Sequence, residues 1–176
     1  MTITYPRAKP FYSAADKVKI LSEISNVLDS GMLTQGAHVQ EFENMFAKKI
    51  GTEYAIATST CTSALQMTIE ALGLKHARIL VTTQTWMSSI NAIILSGNRP
   101  VIIDINPDTL CMDTNIIREY IKEMHTPPIA ILWVHMAGQI SPDILEIRDL
   151  CNKNDIKLIE DCAHAHGASI NGIMAG

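Results

Sequence analysis

The chain has 176 residues, is 47% hydrophobic and 18% charged, and carries a formal net charge of −4 without any basic run, which excludes a surface that tracks a nucleic-acid backbone. A chain of this length can bury a core of its own as one domain, and its greasy composition leaves apolar surface for a partner. The longest apolar stretch, residues 129–136, is too short to span a bilayer and argues against a membrane segment.

In chain order, Ser13 with Asp16 three residues on has the form of a capping box. Apolar positions Val18, Leu21, Ile24, Val27 and Leu28 then recur at helical spacing up to Gly31. A second helix is expected over residues 38–50, with Phe42, Met45, Phe46 and Ile50 on one face and Gly51 as its stop. From there short apolar runs at 54–57, 79–81, 101–104, 129–134 and 157–160 alternate with helical patterns. Strand followed by helix, repeated, predicts an α/β sheet covered on both faces. Ser141-Pro142 reads as the N-cap and first residue of a helix, and Asn171-Gly172 as a two-residue hairpin turn. Cys61, Cys111, Cys151 and Cys162 show no metal-ligand pairing and read as small core residues of a reduced, cytoplasmic protein.

Residues 58–63 hold five hydroxyl side chains in six positions, between an expected strand and an expected helix. Hydroxyls beside the unpaired N–H groups of a helix start can cradle a phosphate, and they can equally serve as ordinary N-caps. Thr85-Trp86 follows the next strand, where open α/β sheets place ligands; the indole suits stacking on a planar ring or plain packing. His135, His164 and His166 follow later strands. Asp161, His164 and His166 are close in sequence, but no second cluster supports a metal site. Asp161 ends an apolar strand, where a carboxylate needs either a cation or several donors to offset its desolvation.

Taken in order, these segments resemble the DegT/DnrJ/EryC1/StrS family of pyridoxal-phosphate-dependent sugar aminotransferases. The matching segments are Ser30-Gly-Met-Leu-Thr-Gln-Gly36, Thr60-Cys-Thr-Ser-Ala-Leu65, Thr85-Trp86 with Asn91, Gly97-Asn-Arg-Pro-Val-Ile-Ile-Asp104, Val134-His-Met-Ala-Gly-Gln139 and Glu160-Asp-Cys-Ala-His-Ala-His-Gly-Ala168. The resemblance implies a three-layer α/β/α fold with a mainly parallel sheet, the N-terminal part of a fold type I large domain. It divides the chain into helices and a substrate-side loop over residues 1–51 and a sheet region over 52–176, with the small C-terminal domain absent. It implies that Thr62 and Ser63 hold the cofactor phosphate, Trp86 stacks on the ring, Asp161 meets the pyridinium nitrogen, and His164, where the family usually has Gln, lies by the phenolic oxygen. Thr34 and Gln35 would face substrate. Cys61 stands where the family often has Gly.

The family's Schiff-base lysine would follow the last segment, and no lysine follows Lys157 in this sequence. The expectation is therefore a cofactor-binding half that does not transaminate by itself. The whole enzyme would move an amino group from an amino acid such as glutamate to a keto sugar linked to a nucleotide, within cell-surface polysaccharide synthesis. Alternatives are a sugar dehydratase of the same group, a non-catalytic cofactor-binding or interaction fragment, or a dinucleotide-binding domain. No Gly-x-Gly-x-x-Gly supports the last. Self-association or a complementing chain is expected, because the family's sites lie at a homodimer interface and residues 54–57 would lack their sheet neighbour.

Overall fold

The computed structural model describes residues 10–124 and 128–176. The chain divides into two compact units, Met1–Phe42 and Glu43–Gly176.

In the first unit, α1 (Ala14–Ser30) starts at the expected capping box: Ser13 Oγ accepts the Asp16 N–H at 3.1 Å, and the Asp16 carboxylate accepts the Ser13 N–H at 3.1 Å. It stops at Gly31, whose φ of 68° is left-handed. None of its residues is buried, so the apolar stripe of Val18, Leu21, Ile24 and Leu28 is exposed. A groove of about 690 Å³ lies along it between Tyr12, Ile20, Ile24, Val27, Leu28 and His38.

Further elements follow: α2 (Ala37–Ile50), α3 (Cys61–Ala71), β1 (Arg78–Thr82), α4 (Met87–Leu95), β2 (Arg99–Ile103), α5 (Thr114–Glu123), β3 (Ala130–Val134), α6 (Ile144–Lys153), β4 (Lys157–Asp161), β5 (Ser169–Ile170) and β6 (Ile173–Met174). The four longer strands form one parallel sheet in the order β2-β1-β3-β4. Alternation along the strands sorts the core into two layers. Ile79, Val81, Leu132 and Ile159 pack with Leu65 and Ile69 of α3 and Ala92 and Ile93 of α4. Leu80, Ile131 and Trp133 pack on the opposite face with Ile117 of α5 and Ile144, Ile147 and Leu150 of α6. The sheet is therefore covered on both sides, as the unbroken apolar runs predict.

Three expectations are corrected. Residues 54–57 form no strand: Tyr54 and Ile56 are each 75% exposed, and the segment is held by Thr52 Oγ1 donating to the Tyr54 carbonyl at 3.0 Å and the Ala57 N–H donating to Glu43 Oε1 at 2.8 Å. An apolar run signals burial but cannot supply the neighbouring strand that a ladder needs, and none stands beside it among the described residues. Helix α6 begins at Ile144 rather than at Pro142. Ser141 Oγ instead accepts the Asp143 N–H at 3.2 Å, closing a turn that precedes the helix. The cysteines are all free, but only Cys111 and Cys151 are core residues; Cys61 is exposed and Cys162 half-buried. The hairpin forms as expected, β5 and β6 being joined through Asn171 and Gly172 with φ of 51° and 77°.

A buried amide pins the approach to β2. Asn98 Oδ1 accepts the Ala77 N–H at 2.9 Å, and its Nδ2 donates to the carbonyls of Leu74 and Ser96 at 2.9 and 3.1 Å. Asn98→Ala would strand these backbone groups away from water, and is expected to lower unfolding free energy by about 2 kcal/mol in urea titration.

Candidate cofactor site

Strand β1 pairs with β2 on one side and with β3 on the other, so the chain reverses direction across the sheet at β1. Open α/β sheets bind ligands in the crevice that such a reversal leaves at the carboxyl ends of their strands. A cavity of about 260 Å³ lies there, lined by Thr85, Trp86 and Ser88 after β1, Val134, His135 and Met136 at the end of β3, and Asp161, Ala163 and His164 at the end of β4. Among the described residues no lysine lines it.

Asp161 is 5% exposed, and among the described residues it forms no ion pair. Its charge is met by donors alone. Ser89 Oγ donates to Oδ2 at 2.8 Å, while the Ala163 N–H and the Cys61 thiol donate to Oδ1 at 3.1 and 3.5 Å. The Ser89 hydroxyl in turn accepts from Thr85 Oγ1 at 2.8 Å, which fixes its rotor toward the carboxylate. A buried anion supplied with dipoles but no cation is an attractive place for a protonated ring nitrogen.

Trp86, the N-cap residue of α4, is 72% exposed and borders the same cavity, so its indole face is free to take a planar group. His164 stands on the rim. Its Nδ1 accepts the Ala137 N–H at 3.3 Å, which places the ring proton of the neutral form on Nε2. Ala137 holds that N–H in place with a left-handed φ of 56°, and Gly138 follows with φ of 82°. A Cβ on Gly138 would stand 3.0 Å from the His164 carbonyl oxygen. Gly138→Ala is therefore expected to cost about 1–3 kcal/mol of stability in thermal unfolding, and to displace His164.

Thr62 and Ser63 occupy the first turn of α3, which reaches the cavity floor through Cys61. Thr60 caps this helix by accepting the Ser63 N–H at 3.1 Å, and its hydroxyl lies 3.0 Å from Ser63 Oγ. The Cys61–Asp161 contact brings the N-terminal end of α3, which suits an anion, beside the crevice, although neither Thr62 nor Ser63 is among the residues lining the cavity. Thr34 and Gln35 lie in the first unit, where Thr34 borders a groove with Asn26, Met32 and Leu33.

Glu160 points to the other face of β4. Arg148 grips it through Nε and Nη2 at 2.8 and 2.5 Å, His135 Nε2 lies 3.0 Å away, and the Gly176 N–H donates at 3.1 Å. Burial alone would raise its pKa, but these partners outweigh burial and hold the carboxyl below its ordinary range. His135, Glu160 and Cys162 bring ligand-type atoms within 4.8 Å of one another. The guanidinium on Glu160 and a thiol pushed up to about 12 by burial, Glu160 and Asp161 make that cluster a poor cation site. The metal trio considered from sequence, Asp161 with His164 and His166, is not brought together; His166 packs edge-on against Phe46.

Two contributors went unrecognised in the sequence. Ser89 carries a faint signal, four residues beyond Thr85 at the start of a helix. Arg148 carries none, because its role depends on how α6 lies over β4.

The profile of the DegT/DnrJ/EryC1/StrS aminotransferase family matches residues 14–176. Among solved structures, the E. coli GDP-4-keto-6-deoxy-D-mannose-3-dehydratase with bound hydrated PLP is 30% identical with a TM-score of 0.83, over 100% of this chain and 45% of its own. A DegT DnrJ EryC1 StrS aminotransferase from Brucella abortus is 28% identical with a TM-score of 0.83, over 93% of this chain and 45% of its own. NtdA from Bacillus subtilis, with bound cofactor PMP, is 32% identical with a TM-score of 0.81, over 93% of this chain and 37% of its own. The chain thus spans less than half the length of these structures. With the family profile covering nearly all of it, and the α/β sheet shared, the chain belongs to the DegT/DnrJ/EryC1/StrS aminotransferase family.

Proposed function

We propose that this chain is the cofactor-binding half of a pyridoxal-phosphate-dependent enzyme acting on nucleotide-linked keto sugars, with an amino acid such as glutamate as amino donor. The observation that carries the reading is Asp161, a buried carboxylate with three donors and no cation partner among the described residues, lining a crevice that an exposed indole borders. The residues fit the group. Asp161 would hold a ring nitrogen protonated, Trp86 would cover one face of the ring, Thr62 and Ser63 at the head of α3 would take the phosphate, and His164 Nε2 would offer a proton to a phenolic oxygen. Pyridoxal phosphate, when bound, supplies an electron sink for the carbon that loses a proton.

The residues of this chain bind, orient and tune. Ser89 and Thr85 keep Asp161 pointed at the crevice, and its own burial limits the water that would compete for its charge. The proton carrier for the sugar and donor carbons is proposed to come from outside these 176 residues, in further sequence, a second copy or a complementing chain. Exposure of Tyr54 and Ile56 supports such an added partner. A sugar 3-dehydratase is the second reading, favoured by the E. coli dehydratase, 45% of which is matched by the whole of this chain.

Tryptophan fluorescence tests the ring site directly. Trp86 is exposed and Trp133 is buried, so adding pyridoxal phosphate is expected to quench mainly Trp86 emission, and Trp86→Phe should remove most of that quench. A quench that persists undiminished in Trp86→Phe would place the ring elsewhere.

A further inference from the structure

Cys61 and Asp161 are 100 positions apart in sequence, yet their side chains meet. Cys61 is the first residue of α3, so its thiol belongs to the same helical turn as Thr62 and Ser63. A thiol is a weak donor, and 3.5 Å is an ordinary reach for sulfur. Its acceptor, however, is a buried carboxylate that forms no ion pair among the described residues, and in such a setting each remaining donor counts for more. The other two donors come from α4 and from the backbone beyond β4. Cys61 is thus the one link from Asp161 to the head of α3 among the described hydrogen bonds.

We propose that Cys61 is a positioning residue which, through its S–H bond to Asp161 Oδ1, couples the anion-receiving turn of α3 to the carboxylate, so that both shift together when a phosphate-bearing ligand enters. The inference rests on the reading that this turn receives phosphate. It requires the thiol to stay protonated: although the residue as a whole is exposed, partial burial at the Asp161 contact first, then the charge and hydrogen bond of Asp161, push it up to about 11. Ionised, the sulfur would repel the carboxylate and lose its donor.

Two measurements test this. The first needs no cofactor: alkylation of Cys61 by iodoacetamide, resolved by peptide mass spectrometry, is followed from about pH 7 to about pH 10, since only the thiolate reacts. In Asp161→Asn the rate at a given pH is expected to rise about fivefold or more, as the carboxylate's share of the shift disappears. An unchanged rate in an Asp161→Asn chain with native near-ultraviolet circular dichroism overturns the proposal. The second measures pyridoxal phosphate affinity in Cys61→Ser and Cys61→Val. The serine, a donor, should bind within about twofold of the parent, and the valine, which fills space without donating, about fivefold more weakly. Equal binding by the valine variant overturns the coupling and leaves the cofactor reading standing. If Asp161→Asn does not fold, the serine and valine pair decides. No binding by the parent chain removes the cofactor reading, and the alkylation profile still decides whether the thiol donates to Asp161.

Discussion

Asp161→Ala is expected to weaken pyridoxal phosphate binding by about tenfold to a hundredfold, the loss of one charge-assisted hydrogen bond worth about 1.5–3 kcal/mol. The size follows from placement. Asp161 is shielded from water and spends its charge on neutral donors, so a cationic ring nitrogen would be its first full counter-charge. Among the described residues Asp161 has no cationic partner, so its removal strands no opposite charge, but it leaves the Ser89 hydroxyl and the Ala163 N–H without their acceptor and is expected to lower unfolding free energy by about 1–2 kcal/mol. Equilibrium absorbance titration of both chains checks the affinity, and urea denaturation checks that the fold is retained.

The neighbouring carboxylate should behave in the opposite way. Glu160→Ala is expected to destabilise the chain by about 3 kcal/mol, because it removes the partner of the buried His135 ring and leaves the Arg148 guanidinium with only the Met174 carbonyl, at 3.4 Å, among the described residues. The contribution depends on pH with a fixed sign. Since the folded carboxyl is held below its ordinary value, its stabilisation is complete above the unfolded glutamate value of about 4.3 and is lost as pH falls through the folded value. Urea midpoints for parent and variant should therefore differ most near neutral pH and converge in acid. Adjacent residues on one strand thus divide the work: Asp161 faces the crevice and governs binding, and Glu160 faces α6 and governs stability.

Much of the fold was legible because burial on both faces writes itself into sequence as unbroken apolar runs. β1 and β3, the two central strands, were the plainest for that reason. Residues 54–57 misled for the same reason, since an apolar run carries no information about whether a neighbouring strand is present. Asp161, Trp86 and His164 could be found as candidates because strand ends gather at one edge of a parallel sheet, and the structure does bring all three to one cavity. The bonds that hold Asp161 were out of reach. Ser89 and Cys61 lie 72 and 100 positions from it, and only the packing of α3 and α4 against the sheet brings them in. The left-handed turn at Ala137 was equally hidden, since alanine gives no sign of a positive φ that tertiary contacts impose.

As proposed, Asp161, Trp86, His164 and the head of α3 form a cradle for pyridoxal phosphate, with the proton carrier supplied from elsewhere. Absorbance titration of the purified chain with pyridoxal phosphate, followed by borohydride reduction and peptide mass spectrometry, tests it most directly. Saturable binding that Asp161→Ala weakens is expected, with no single lysine modified, in keeping with a cavity that no described lysine lines. Absence of saturable binding, or binding that survives intact in Asp161→Ala, would contradict it.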